Sequence, residues 1–143
     1  KRQVKDIGKE KFNKMFVADP IVQYIRNGEV HSVYKRTSGI PAGFDAYSIF
    51  THTWRKEDNV LGKDFEIYKN LGDMTANKNK WVFCNYDDTD VGYPRDCGQI
   101  GSVAWKWFSF PGGDHNAPGL TKGSSFQLFE GLTSCFMQFR GHL

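Results

Sequence analysis

A chain of 143 residues with 15% aromatic and 24% charged side chains is the size of one domain, able to bury about two-thirds of its extended surface and too rich in rings to stay disordered. No apolar run approaches the roughly 20 residues that a membrane helix needs, which argues against membrane insertion. The net charge of +3 is uneven: Lys1 to Arg36 holds nine Lys/Arg against four Asp/Glu, and the rest ten against twelve, a pattern that fits a solvated basic helix face better than a dense nucleic-acid-binding run.

Taken in chain order, residues 1–28 read as a basic helical segment and residues 30–140 as an antiparallel β body, together one domain over 1–143. Ile7, Phe12, Met15 and Phe16 fall near helical spacing, with Lys5, Lys9, Lys11 and Lys14 between them. Asp19-Pro20 predicts a second short helix, carrying Ile21, Val22 and Ile25 to a stop at Asn27-Gly28. Strands are predicted at Val30 to Arg36, at Phe44 to Trp54 from its alternating side chains, and from Phe65 on, with Phe65, Ile67 and Leu71 inward and Glu66 and Tyr68 opposite. Asp73 to Asn79 is polar and loop-like.

Two aromatic runs come next, Trp81 to Tyr86 and Val103 to Phe110, whose bulky rings suit a pleated surface. Between them lies an acidic, glycine-bearing loop. Residues 111–125 read as a long Gly/Pro loop, and Phe126 to Glu130 and Cys135 to Arg140 as a last strand pair. The expected fold is α+β or mainly β: two short N-terminal helices, then an antiparallel sheet of about seven strands, sandwiched or strongly curved.

The chain has three cysteines. Joining Cys84 to Cys97 closes a loop of about 14 residues, worth roughly 3 kcal/mol on the chain-entropy account, and leaves Cys135 as a thiol in an apolar run. That usage, with a chain starting at Lys1, fits a mature, processed, secreted protein or an excised piece of one; reduced core cysteines are the other reading. No Cys-x-x-Cys pair suggests zinc.

Three constellations could carry function. In Asp88-Thr89-Asp90-Val91-Gly92, alternate acids before a glycine match half of a calcium loop, but Gln99 stands where the twelfth position needs Glu. Calcium at Asp88 and Asp90 is therefore a weak expectation, and no other cofactor is expected. The second constellation is aromatic. Trp105 and Trp107 share one side of a strand, and with Tyr93 and Asp90 they form the expected ligand-binding set, since rigid rings stack on sugars or on a partner at low entropic cost. Trp54 and Tyr47 are further candidates.

The third is His31, Glu66, Arg95 and His115. A proton acceptor, a proton donor and a cation are the groups that RNA cleavage through the 2′-hydroxyl requires. In residue types, the order His31, Glu66, Arg95 resembles that of the small microbial guanyl-specific ribonucleases, in which a helix precedes an antiparallel sheet carrying His, Glu, Arg and His. The resemblance implies a metal-independent ribonuclease acting on RNA. The resemblance also covers the string Thr51-His52-Thr53 but departs in its order, because His52 precedes Glu66 whereas the second catalytic histidine of that family comes last; His115 would have to serve from its loop. With no nucleophile elbow and no phosphate loop, the leading expectation is a secreted binding protein, effector- or lectin-like, that recognises a glycan or a partner protein. Ribonuclease activity is the alternative.

Overall fold

The computed structural model describes residues 4–26, 28–103 and 124–130. Residues 104–110 of one predicted strand and the whole of another at 135–140, and with them Trp105, Trp107, His115 and Cys135, lie outside the described residues. What is described is an α+β fold in which helix α1 (Val4–Ala18) leads into an antiparallel hairpin, β1 (Ile21–Arg26) and β2 (Glu29–Arg36). Helix α2 (Ala46–Thr51), strand β3 (Phe65–Tyr68), helix α3 (Leu71–Ala76) and strand β4 (Ser124–Leu128) follow. Among the described residues the sheet has four strands in the order β3-β2-β1-β4, each pair antiparallel.

The expectation of two N-terminal helices and seven strands is corrected at several points. Asp19-Pro20 does not open a helix. The Asp19 amide donates to the Met15 carbonyl at 2.9 Å, closing α1, and Pro20 hands the chain to the sheet by accepting the Arg36 amide at 3.0 Å. Ile21, Val22, Tyr24 and Ile25 are β-branched or aromatic, and the sheet uses them on alternate faces. Residues 21–26 therefore belong to the β body, not to a helical segment ending at residue 28.

Phe44 to Trp54 is not a strand. Asp45 caps α2, its carboxylate accepting from the Ser48 amide at 3.2 Å and the Ser48 hydroxyl at 2.8 Å. Ala46, Ile49 and Phe50 are buried at helical i, i+3, i+4 spacing, which overrides the apparent alternation. Likewise Asn70 caps α3 by accepting the Asp73 amide at 2.8 Å, and Asn77 ends it in the left-handed region, so the polar stretch expected to be a loop is partly helix. Trp81 to Tyr86 is irregular chain that touches Gly98 through one antiparallel bridge at Phe83.

Two cores sandwich the sheet. One face carries Val22, Tyr24, Tyr34, Phe65, Ile67, Phe126 and Leu128 beneath Phe12 and Phe16 of α1 and Phe50 of α2. Ring contacts join them, such as Tyr34 with Phe65 at 4.8 Å and Phe50 with Tyr93 at 5.1 Å. A fully buried side chain of this kind contributes roughly 1.5–3 kcal/mol, so the rings account for much of the fold. The opposite face is smaller: Ile21, Val33, Tyr68, Met74 and Phe129. The outer side of β3 is occupied by the chain itself, with the Gly62 amide donating to the Phe65 carbonyl and the Trp81 amide to the Ile67 carbonyl, at 2.8 and 2.9 Å.

The segment from Cys84 to Cys97 is bonded to the main core. Trp54 donates its amide to Val91, Asp87 to Trp54 and Tyr93 to Phe50, and the disulfide closes the base. Along α1, Lys9, Lys11 and Lys14 are exposed, as a solvated basic face requires.

Candidate functional site

Arg26 pairs with Glu29 where β1 turns into β2. Gly28 sits at φ 81°, a conformation that a side chain would strain. Two pairs further on, the ladder slips. Ile25 faces Val30 and Tyr24 faces Ser32, which leaves His31 as the extra residue of a β-bulge. A bulge re-aims the side chain of the inserted residue. The His31 ring lies edge-on to Tyr24 at 5.3 Å and to Trp81 at 5.7 Å, on the face of the main core.

This ring is held firmly. Its Nδ1 is 3.0 Å from the Ser32 hydroxyl, which in turn lies 2.8 Å from the Tyr93 hydroxyl. Burial, aided by the positive charge of Arg26, lowers the His31 pKa to about 4. At neutral pH the imidazole is uncharged, a hydrogen-bonding group and a poor proton acceptor. Burial likewise lowers the pKa of Arg26, against an opposing effect of Tyr24. Beside them opens a cleft of about 340 Å³ lined by Arg26, Glu29, Val30 and His31, in which Val30 keeps 40% of its surface exposed.

The other expected catalytic residues are placed elsewhere. Glu66 pairs with Lys35, four residues along β2 from His31, a distance of roughly 13 Å at strand rise. It also belongs to the side of the sheet that carries Val33 and Tyr68. Its carboxylate accepts from the Tyr68 hydroxyl at 2.5 Å and is paired with Lys80 at 3.0 Å. Burial acts to raise its pKa, but these two partners outweigh that and hold it below the usual range.

Arg95 stands in the left-handed region at φ 49°. Its guanidinium reaches Asp96 at 2.9 Å and Asp88 at 3.1 Å, with the side chain only 11% exposed. Asp96 is bound further by Asn85 and Ser102. The structure therefore does not bring His31, Glu66 and Arg95 to one cleft, and His115 lies outside the described residues.

The expected binding residues are also divided. Tyr93 is fully buried, and burial pushes its phenol far above the usual range, so it is a core ring and not a wet platform. Trp54 is buried beside it. Asp90 is exposed in a turn at φ 65°, its amide donating to the Thr53 hydroxyl at 3.3 Å. Trp105 and Trp107 are outside the described residues. Of the calcium pair, Asp88 is already engaged by Arg95, and no group of three His, Cys, Asp or Glu that could hold a metal occurs among the described residues. Cys84 and Cys97 are joined, as the spacing suggested.

Sequence reasoning misses Arg26 and Glu29 because Asn27-Gly28 also reads as a helix stop. The same dipeptide between two β-branched runs is a strong hairpin signal, and in that sense it sets both residues at one sheet end. No helix among the described residues is long and apolar enough to cross a membrane. No family model, no curated protein and no solved structure matches the chain.

Proposed function

We propose that this is a secreted recognition protein, effector- or lectin-like in style, that binds a glycan and has no catalytic activity of its own. The observation that carries this reading is the cleft at the β1–β2 turn. It combines a cation, a carboxylate, an uncharged imidazole and an aliphatic wall at one hairpin end. Such a mixture of fixed polar groups and apolar surface orients a small polar ligand. A base with its pKa far below the working pH contributes little to proton transfer. The disulfide adds support for an oxidising, extracellular setting.

The ribonuclease alternative loses its motive on charge grounds. Cleavage needs a cation turned toward a phosphate, whereas Arg95 is turned toward two carboxylates and Glu66 toward Lys80. Two assays separate the readings. Purified protein should be retained on an immobilised polysaccharide and should leave single-stranded RNA intact at neutral and mildly acidic pH. RNA degradation that disappears in His31→Ala would overturn the proposal, as would the absence of retention across a broad panel of immobilised glycans.

A further inference from the structure

The chain between α3 and Trp81 is held lightly. Residues 75–80 are all exposed, a run that ends where Trp81 is buried. Only its start is bonded: the Asn77 amide donates to the Met74 carbonyl and the Lys78 amide to the Asp73 carbonyl, each at 3.1 Å. The amides of Asn79 and Lys80 and the carbonyls of residues 77–80 make no hydrogen bond among the described residues. Asn77 and Asn79 stand at φ 57° and 60°, the left-handed region that a side chain enters at a cost. Drawing this stretch out straight releases that cost, which offsets part of the two bonds lost. Helix α3 opposes it weakly, since it has six residues and buries only Met74, and so short a helix has little stability of its own. Its last turn therefore opens at a small free energy while the sheet stays closed.

Exposed polar segments of this kind are where proteolytic nicking concentrates. We propose that the Lys78–Asn79 bond is a processing site for an endoprotease of trypsin specificity, which takes a lysine side chain into an acidic pocket. Lys78 forms no ion pair among the described residues, so its side chain is not tied to the surface. Lys80 is the poorer target. Its ammonium is held by Glu66 at 3.0 Å, and the bond after it leads into Trp81, 8% exposed, whose amide is bonded to the Ile67 carbonyl at 2.9 Å. Hydrolysis adds one water across the peptide bond and leaves a carboxylate on Lys78 and an amine on Asn79. The two pieces stay together. Strands β1 to β3 lie before the cut, and β4 and the Cys84–Cys97 loop after it. The β1–β4 ladder crosses it, as do the amide bonds of Trp54 to Val91 and Tyr93 to Phe50. The Phe126 ring packs across it on Phe50 at 5.5 Å and Phe12 at 6.3 Å. The product is a two-chain protein with the same sheet, joined without a covalent link, because both cysteines of the bridge lie in the second piece.

The test is brief treatment of the intact, folded chain with trypsin, read by mass spectrometry at early times and by size-exclusion chromatography. A fragment beginning at Asn79 should appear while the protein keeps its elution volume, and the two pieces should part only in urea. Lys78→Gln should slow this cut roughly a hundredfold or more and leave the urea midpoint unchanged, as befits an exposed, unpaired side chain. The rate of the cut should rise only weakly with urea below that midpoint, since a local opening uncovers little surface. A rate that climbs with the full urea dependence of global unfolding would overturn the proposal, because the bond would then be reached only in the unfolded chain. So would a fragment beginning at Trp81 ahead of one beginning at Asn79, no fragment beginning at Asn79, or pieces that separate without denaturant.

Discussion

The Arg95 loop and the His31 corner are built from similar materials and differ in one respect. Each sets charged or ionisable groups against the same aromatic core, and each lies at a backbone irregularity, a left-handed arginine in one and a bulge in the other. Around Arg95 the chain supplies its own counter-charges, Asp88 and Asp96, and ties the base with a disulfide. At the corner, the exposed Glu29 carboxylate faces Arg26 across the ladder but forms no ion pair with it. A charge matched within the chain is committed to the fold, whereas the Glu29 carboxylate stays exposed at the edge of a cleft.

The sharpest way to break this contrast is Arg95→Ala. Removing one partner of a largely covered charge network takes the cation from two carboxylates, and we expect about 4 kcal/mol of destabilisation in urea unfolding. A loss under about 1 kcal/mol, the value of a surface pair, would show the loop to be no more structural than the cleft. Reducing the Cys84–Cys97 bridge should cost roughly 3 kcal/mol, read as a fall in the urea midpoint of the reduced protein.

The corner makes its own prediction through pH. His31 has its folded pKa lowered to about 4, so the unfolded state binds its proton first as pH falls. Its stabilising contribution is complete above the unfolded value of about 6.5 and disappears as pH falls toward about 4. Unfolding curves across that window should lose on the order of 2–3 kcal/mol, and His31→Gln should remove this part of the slope. Asn70→Ala, which removes the α3 cap, should cost about 1 kcal/mol in the same unfolding measurement. The smallest effect belongs to the cleft mouth, where Glu29→Gln should change stability by no more than about 0.5 kcal/mol.

Much of the core was legible from residue type. Phe12 and Phe16 on α1, the strand through Val33 and Tyr34, and the pairing of Cys84 with Cys97 follow from periodicity and spacing. Where the reading failed, local chemistry had two meanings. Asp19-Pro20 ends a helix as readily as it starts one, and the outcome depends on Arg36 being near enough to bond Pro20. Ala46 to Thr51 alternates like a strand, but its Asp45 cap favours helix. The corner was harder still. A bulge arises from a mismatch between two strands, so the direction of the His31 side chain is written in neither strand alone. The neutralisation of Arg95 is similar, because Asp88 and Asp96 become its partners only once the backbone reverses.

The sealed outer rim of β3 has a consequence for how the molecule behaves in company. An edge strand with bare amides and carbonyls invites a second chain to extend the sheet, the first step toward fibrils. Here the Gly62 and Trp81 amides already occupy the carbonyls of Phe65 and Ile67. On that flank an incoming strand would have to displace native bonds before forming its own, and crowding should not readily zip copies together there.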